Sequence, residues 1–176
     1  MAFIVICFFS TIINVIGFVY PKLEANMIVR NCMKKRVFFI HVDETVAGAA
    51  KLMQEYHIGT LPVVDDNNKL IGILTLHSLL RIVLPDFIEF VANFSFINNL
   101  GAFETRIPSE AELDIHIKEI MEEPIFVQQD WSLVHAAAIL HNEELNDIPV
   151  VDSSRRLVGL ASHVDLGTAI IRSWNL

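Results

Sequence analysis

The sequence is poor in several residue types, and each shortage excludes a class of protein. It has two cysteines, Cys7 and Cys32, in 176 residues, which is too few for a disulfide framework or a zinc site. Such usage is typical of a reducing compartment. Basic residues are also few, since 13 Lys and Arg against 21 Asp and Glu give a net charge of −8. No nucleic-acid partner is expected, because phosphate contacts need a basic surface.

The chain also lacks the patterns that carry common catalysis. It contains no P-loop and no Gly-x-Ser-x-Gly nucleophile turn. Its seven histidines are scattered, and His135 and His141 are six residues apart, which does not place two ligands on one helix face. The carboxylates at 122–123 and 143–144 are adjacent in sequence, so they point apart on a helix. We therefore predict no catalytic residue, no metal site, no required cofactor and no enzyme activity.

One long apolar run is present, at the N-terminus. Residues 2–20 carry no charge, and the run is about long enough to span a bilayer as a helix. Basic residues outnumber acidic ones between residues 22 and 36, which places the rest of the chain in the cytoplasm if this run is an anchor. The alternatives are a buried helix that covers the domain, or an over-extended start with Met27 as the true first residue.

The rest of the chain contains one pattern twice. In the first copy, a β-branched and aromatic run at residues 37–42 predicts a buried strand. The helix that follows it has a predicted inner side that contains Val46, Ala49, Ala50, Leu52 and Met53. Two strands at 61–65 and 70–75 flank a polar turn at 66–68, and a second helix begins near Leu76. The predicted order of elements is strand, helix, strand, strand, helix.

The second copy lies 87 residues further along the chain. Pro62 then matches Pro149, while Met33 matches Met121 at an offset that is one residue greater. A unit of about fifty residues that occurs twice usually cannot bury its apolar face alone. We therefore predict an α/β (α+β) fold, in which the two repeats pack on each other about a pseudo-two-fold axis.

An aromatic-rich linker joins the repeats. Pro85 opens a predicted helix with one apolar stripe, which contains Phe87, Phe90, Val91 and Phe94. The stripe either packs on the repeats or lines a dimer interface, because a large exposed apolar patch attracts a partner. The predicted divisions of the chain are 1–26 for the apolar N-terminal segment, 27–84 for the first repeat, 85–114 for the linker and 115–176 for the second repeat.

The second repeat ends in a stretch, residues 157–165, that combines a strand with the start of a helix. Ser162 opens the helix, and Asp165 follows one turn later. Because a helix N-terminus has unpaired N–H groups and a partial positive charge, Ser162 can help to hold a phosphate there. Asp165 can accept hydrogen bonds from both hydroxyls of a ribose. The same Ser-x-x-Asp pattern is also a capping box, in which both residues satisfy only backbone donors.

These doubled segments resemble a tandem pair of CBS (cystathionine-β-synthase) domains. The resemblance rests on residues 60–65 with 70–75, and on residues 147–152 with 157–165. It implies a regulatory, cytoplasmic module that binds AMP, ADP or ATP, or else S-adenosylmethionine, between the repeats. It also implies a homodimer that acts on an unidentified protein. The alternatives are a structural dimerisation module without a nucleotide and a membrane-tethered accessory subunit of a transporter.

The resemblance also implies site residues. In the family, the hydroxyl and the Asp of this motif contact phosphate and ribose, and the matching residues here are Ser162 and Asp165. The first repeat keeps Thr75 but has Ser78 where the Asp would stand, and a neutral hydroxyl cannot replace a carboxylate as a two-point acceptor. His163 follows Ser162 and can face a phosphate or simply lie in solvent.

In the family, the adenine lies between the start of the first strand and the residues around an apolar-proline pair. For the second site, the implied residues are Pro124, Ile125, Asp147, Ile148 and Pro149. For the first site, they are Val37, Thr60, Leu61 and Pro62. Leu61 and Ile148 also suit core packing. Positive charge for a polyphosphate is available from Lys34, Lys35, Arg36 or Arg81.

Expression of the chain from Met1 and from Met27, followed by membrane fractionation, tests the predicted anchor. If residues 2–20 span a bilayer, only the longer chain should sediment with membranes, because the apolar run is then buried in lipid. Equal recovery of both chains in the supernatant would contradict the anchor.

Overall fold

The computed structural model describes residues 27–83 and 107–174, so the apolar N-terminus and the aromatic stripe of the linker lie outside the described residues. The first repeat consists of β1 (Ile40–His41), α1 (Val46–Tyr56), β2 (Thr60–Val64), β3 (Leu70–Thr75) and α2 (Leu76–Val83). Two short helices follow, α3 (Glu110–Leu113) and α4 (Ile117–Ile120). The second repeat consists of β4 (Val127–Gln128), α5 (Leu133–Asn142), β5 (Asp147–Val151), β6 (Leu157–Ser162) and α6 (His163–Arg172). No helix within the described ranges is both long and apolar enough to cross a membrane.

The two repeats have three-stranded sheets with the same topology and register. In each sheet a short parallel strand precedes an antiparallel hairpin, in the order β1-β2-β3 and β4-β5-β6. Val63 pairs with Gly72, and Val150 pairs with Gly159, with a register shift after each valine. Four of the five residues of β2 and of β5 are buried, as expected for apolar strands that are covered on both faces. The predicted strand-helix-strand-strand-helix repeat is confirmed.

The first strand is shorter than the sequence predicts. Within residues 37–42, only Ile40–His41 pairs with β2. Lys34 forms a bridge with Leu160 in β6, so the residues that follow Lys34 cross from one repeat to the other before β1 begins. A segment that changes sheets cannot hydrogen-bond continuously to either one, and the predicted strand is therefore wrong over its first three residues.

Helix α1 buries a narrower face than predicted. Val46, Ala49 and Met53 are buried, whereas Leu52 is only partly buried and Ala50 is exposed. The buried residues follow the i, i+3, i+7 spacing of one stripe, and Ala50 lies beside that stripe. The prediction that Ala50 faces the core is therefore wrong.

Helices α3 and α4 lie in or next to the predicted linker and were not expected. Ser109 accepts a hydrogen bond from the Glu112 N–H at 3.3 Å, and the Glu112 carboxylate accepts one from the Ser109 N–H at 2.8 Å. This is a complete capping box. The Ser-x-x-Glu spacing is the sequence signal that could have indicated this helix.

The N-terminal segment of the first repeat completes the second repeat. The Val29 N–H donates to the Trp131 carbonyl at 3.0 Å, and the Lys34 N–H donates to the Leu160 carbonyl at 2.9 Å. Val29 is fully buried in the core of the second repeat. The segment therefore acts as part of the other repeat's fold.

The reverse exchange occurs before the second repeat. The Val46 N–H donates to the Ile115 carbonyl at 2.9 Å, and the Glu122 N–H donates to the Ile73 carbonyl at 2.9 Å. Ile117 is fully buried in the core of the first repeat. The two repeats thus exchange their leading segments, residues 27–38 and residues 115–126, which we call the exchanged segments. This exchange explains why neither repeat buries its apolar surface alone.

The hairpins of the two repeats also pair with each other. The Leu70 N–H donates to the Arg155 carbonyl, and the Leu157 N–H donates to the Asn68 carbonyl, both at 3.0 Å. Asn68 and Arg155 both have positive φ, 59° and 65°, so the two turns have the same backbone shape. The equivalence of these contacts confirms the predicted pseudo-two-fold arrangement.

Equivalent methionines cover equivalent glycines. A Cβ added at Gly72 would lie 2.5 Å from the Met121 Sδ, and one added at Gly159 would lie 2.5 Å from the Met33 Sδ. Both methionines belong to the exchanged segments. A side chain added at either place would therefore have to displace the methionine of the other repeat's leading segment.

We expect Gly72→Ala to destabilise the protein by roughly 1–3 kcal/mol, because the new methyl group overpacks the Met121 contact. In the double variant Gly72→Ala/Met121→Ala, the two effects should be non-additive, because the second change removes the atoms that clash. Chemical denaturation measures both. Gly167→Ala is the control, since nothing lies within 4 Å of a Cβ at Gly167 and alanine favours a helix. Additive effects would contradict the direct contact.

Candidate functional site

The predicted motif of the second repeat forms a complete cap at the start of α6. The Ser162 hydroxyl donates to the Asp165 Oδ2 at 2.6 Å, the Ser162 N–H donates to the same oxygen at 3.0 Å, and the Asp165 N–H donates to the Ser162 Oγ at 3.1 Å. The Lys34 Nζ lies 3.5 Å from the same Oδ2. We call Ser162, Asp165 and Lys34 the second cap cluster.

The cap leaves part of Asp165 available. Its Oδ2 serves Ser162 and Lys34, whereas Oδ1 accepts no hydrogen bond from the residues that the structure describes. The Ser162 hydroxyl hydrogen is directed to Asp165, so a phosphate contact through Ser162 requires that hydroxyl to turn. The capping interpretation is correct for the chain alone, and one carboxylate oxygen remains for a ligand hydroxyl.

The equivalent position in the first repeat is built differently. Ser78 stands in place of the Asp, is 7% exposed, and has its hydroxyl 2.7 Å from the Thr75 Oγ1. The Ser78 hydroxyl donates to the Glu122 Oε1 at 2.8 Å, so the carboxylate here comes from the exchanged segment rather than from the helix. We call Thr75, Ser78 and Glu122 the first cap cluster.

A cavity of about 320 Å³ lies between the repeats. Its wall from the exchanged segment contains Lys34 and residues 36–38, and its wall from the first repeat contains residues 57–60. The second repeat contributes Asp147 and Leu160. The cavity therefore combines two cationic side chains, apolar surface and one carboxyl group, and Lys34 connects it to Asp165.

Asp147, in the wall of this cavity, has a carboxyl group whose pKa is raised by its surroundings. It pairs with Ser162 across β5 and β6 and is partly buried. Burial raises the pKa of the Asp147 carboxyl, and the Asp165 carboxylate raises it further, while Lys34 and His163 lower it. The protonated form of Asp147 is thus favoured relative to an exposed aspartate.

The structure brings together some of the predicted site residues and separates others. Val37, Thr60 and Asp147 line the cavity together, although the resemblance implies Val37 and Thr60 for the first site and Asp147 for the second. Two side chains, Leu61 and Ile148, are fully buried in the cores. The other predicted residues lie outside this cavity lining: Pro62 and Pro149 are buried in strands, Pro124 and Ile125 are partly buried, and Ser162, Asp165 and Thr75 belong to the cap clusters. His163 is exposed and lines a separate surface depression beside α5.

Two cavity walls were not anticipated from the sequence. Phe38 belongs to the predicted strand 37–42, and no pattern in the sequence points to residues 57–59. His57 ends α1 in a left-handed conformation with φ 53°, which places the following loop against the cavity. Glu122 belongs to a pair of adjacent carboxylates for which no role is predicted. It directly follows the repeated methionine, as Lys34 does, and this shared position is the sequence signal for its place at the first cap cluster.

The sequence profile of the CBS domain matches residues 29–85 and 117–172. The chain belongs to the CBS domain family. The two matched ranges are the two repeats, so the predicted tandem pair of CBS domains is confirmed. The matches begin at the exchanged segments, in keeping with the contribution of those segments to each repeat.

Curated relatives of this CBS domain pair differ widely in length. The chain is 28% identical over 148 residues to a CBS domain-containing protein of Dictyostelium discoideum, which covers 83% of this chain and 92% of that protein. It is 41% identical over 61 residues to an uncharacterized protein of Methanocaldococcus jannaschii, covering 35% of this chain and 21% of the relative. It is 25% identical over 147 residues to a homoserine O-acetyltransferase of Methanosarcina acetivorans, and this match covers 84% of this chain and 22% of that protein. The chain thus spans about a fifth of the length of the last two relatives.

Solved CBS structures have the same fold. The crystal structure of CBSX2 in complex with AMP has a TM-score of 0.63, is 21% identical, and covers 84% of this chain and 98% of that one. The CBS domain pair of protein MJ0100, in complex with 5′-methylthioadenosine and S-adenosyl-L-methionine, has a TM-score of 0.58, is 23% identical, and covers 83% and 97%. These likenesses confirm the mixed α and β architecture.

The raised pKa of Asp147 predicts a pH-dependent effect of Asp147→Asn. Between the ordinary value of 3.8 and the higher pKa in the fold, the folded protein binds more protons than the unfolded chain, so the wild type loses stability as pH rises through this window. The Asn variant lacks this loss and should be the more stable protein at pH 7, with a smaller advantage at pH 3. Urea denaturation at both pH values measures the difference. Asp66→Asn, in an exposed turn, is the control. A pH-independent difference would contradict the assignment.

Proposed function

We propose that this CBS pair is a regulatory module that binds an adenine nucleotide in the cavity between its repeats. The observation that carries the proposal is the meeting of Lys34, Arg36 and Asp147 in one cavity, with Asp165 next to Lys34. The cavity volume of about 320 Å³ lies at the lower end of the usual range of ligand sites, roughly 300–1,000 Å³. The AMP complex of CBSX2 and the S-adenosyl-L-methionine complex of MJ0100 support this ligand class.

Each part of the cavity suits one part of a nucleotide. Val37, Phe38 and Leu160 offer apolar surface to a base. Lys34 and Arg36 offer positive charge to a phosphate, and the free Oδ1 of Asp165 can accept from a ribose hydroxyl. AMP, ADP and ATP share these groups, and S-adenosylmethionine shares the adenosine part. No cofactor or catalytic residue has a role in this proposal.

Binding between the repeats would produce the regulatory signal. A ligand that contacts both repeats favours the relative orientation in which its contacts are best, and so shifts the population of orientations. The protein that responds to this shift is another chain, a further domain or a second copy of this module. Apolar side chains on the helices, Leu76 and Leu80 of α2 and Ile171 of α6, are 44–49% exposed and are suited to a homodimer.

A structural dimerisation module without a nucleotide is the second candidate. It is favoured by the first cap cluster, where Ser78 replaces the carboxylate, and by the second, where Asp165 already acts as a cap. In this interpretation both motifs only satisfy helix termini. Ligand titration separates the two candidates.

Isothermal titration of AMP, ADP, ATP and S-adenosylmethionine into the purified chain tests the proposal. At least one should bind, and Asp165→Asn should weaken that binding about tenfold or more, or about 1.4 kcal/mol, because the variant loses the charged acceptor but can still cap the helix. Ser132→Ala is the matched control, since it removes the cap of α5, in which Ser132 accepts from the His135 N–H, without touching the cavity. If none of the four ligands binds, the proposed nucleotide-binding function is wrong and the structural dimerisation module remains.

A further inference from the structure

The two cap clusters are equivalent by the internal repeat, yet their charged groups stand at different positions. Lys34 and Glu122 each follow a matching methionine, and each exchanges two backbone hydrogen bonds with the equivalent strand residue, Leu160 or Ile73. On the helix side, Asp165 and Ser78 both stand at the third helical position. The first repeat therefore has its carboxylate on the exchanged segment, where the second repeat has an ammonium group.

Because the charged residues differ between the two clusters, the clusters differ in net charge. In the second cluster, the Lys34 ammonium lies 3.5 Å from the Asp165 carboxylate, so the two formal charges cancel. In the first cluster, Glu122 accepts from the neutral Ser78 hydroxyl, and no Lys or Arg among the described residues forms an ion pair with Glu122. The first cluster thus carries one negative charge and the second carries none.

We propose that Lys34 and Glu122 decide which of the two clusters admits the anionic group of the ligand. A phosphate that approaches the second cluster meets a cation at a position that is 57% exposed, whereas a phosphate at the first cluster meets an uncompensated carboxylate. The module would therefore bind one nucleotide per chain, through the second cluster. This inference rests on the proposed function, and it names the residues that set the stoichiometry and the preference for a phosphate.

Comparison of AMP with adenosine isolates the phosphate term, because adenosine carries no charge. We expect Lys34→Glu to weaken AMP binding at least tenfold and adenosine binding less than twofold, with Lys34→Gln between Lys34→Glu and the wild type. Lys34 is exposed, so these variants should fold, which circular dichroism checks. Lys51→Glu, an equal charge change at an exposed position of α1, should leave both affinities unchanged.

A second experiment rebuilds the second cluster in the first repeat. The double variant Ser78→Asp/Glu122→Lys copies the Asp165 and Lys34 pair, and we expect it to bind two equivalents of AMP where the wild type binds one. Glu123→Gln changes the net charge by the same amount at the next residue and should still bind one equivalent. Native mass spectrometry with AMP counts the bound ligands directly.

The outcomes separate this inference from the proposed function. If the wild type binds AMP but Lys34→Glu binds it equally well, or if the wild type already binds two equivalents, the charge assignment is wrong and the proposed function stands. If the wild type binds neither AMP nor adenosine, the proposed function fails, and this inference fails with it. Loss of AMP and adenosine binding in equal measure on Lys34→Glu would show a structural role for Lys34 and would also overturn the inference.

Discussion

Each repeat leaves part of its sheet uncovered until the leading segment of the other repeat lies across it, and the rest of the molecule depends on this exchange. Met33 and Met121 lie so close to Gly159 and Gly72 that a side chain at either glycine would collide with the facing methionine. Val29 and Ile117 are each fully buried in the core of the opposite repeat. Because apolar burial is the main favourable term in folding, neither repeat should be stable alone.

The same exchange of segments also positions the charged side chains of the cap clusters. Lys34 and Glu122 directly follow the exchanged methionines, so the contact that holds the repeats together also positions a charged side chain at each cap cluster. A change in the relative orientation of the repeats would move Asp147 of the second repeat relative to Thr60 of the first, across the cavity that both residues line. Under the proposed function, ligand binding in this cavity would therefore be coupled to the packing of the repeats.

In the proposed function, the second cap cluster would have to cap α6 and contact a ligand with the same atoms. Ser162 and Asp165 satisfy the backbone donors at the start of α6, so they would stabilise the helix in the absence of any ligand. A ligand at this position has to compete for the Ser162 hydroxyl or use the remaining Asp165 oxygen. Any ligand contact here would therefore gain less net free energy than a contact to an unpaired group.

The sequence by itself determined the repeated unit, its element order and the family, because strand alternation, turn residues and helix caps are local and occurred twice with one spacing. It could not determine that residues 37–39 leave the strand, or that Val37, Thr60 and Asp147 share one cavity, because both depend on where a segment lies after it crosses to the other repeat. Only the tertiary structure paired Lys34 with Asp165, which are 131 positions apart in the sequence. Contacts between distant segments are set by which surfaces are buried together, and a single sequence carries no direct signal of that pairing.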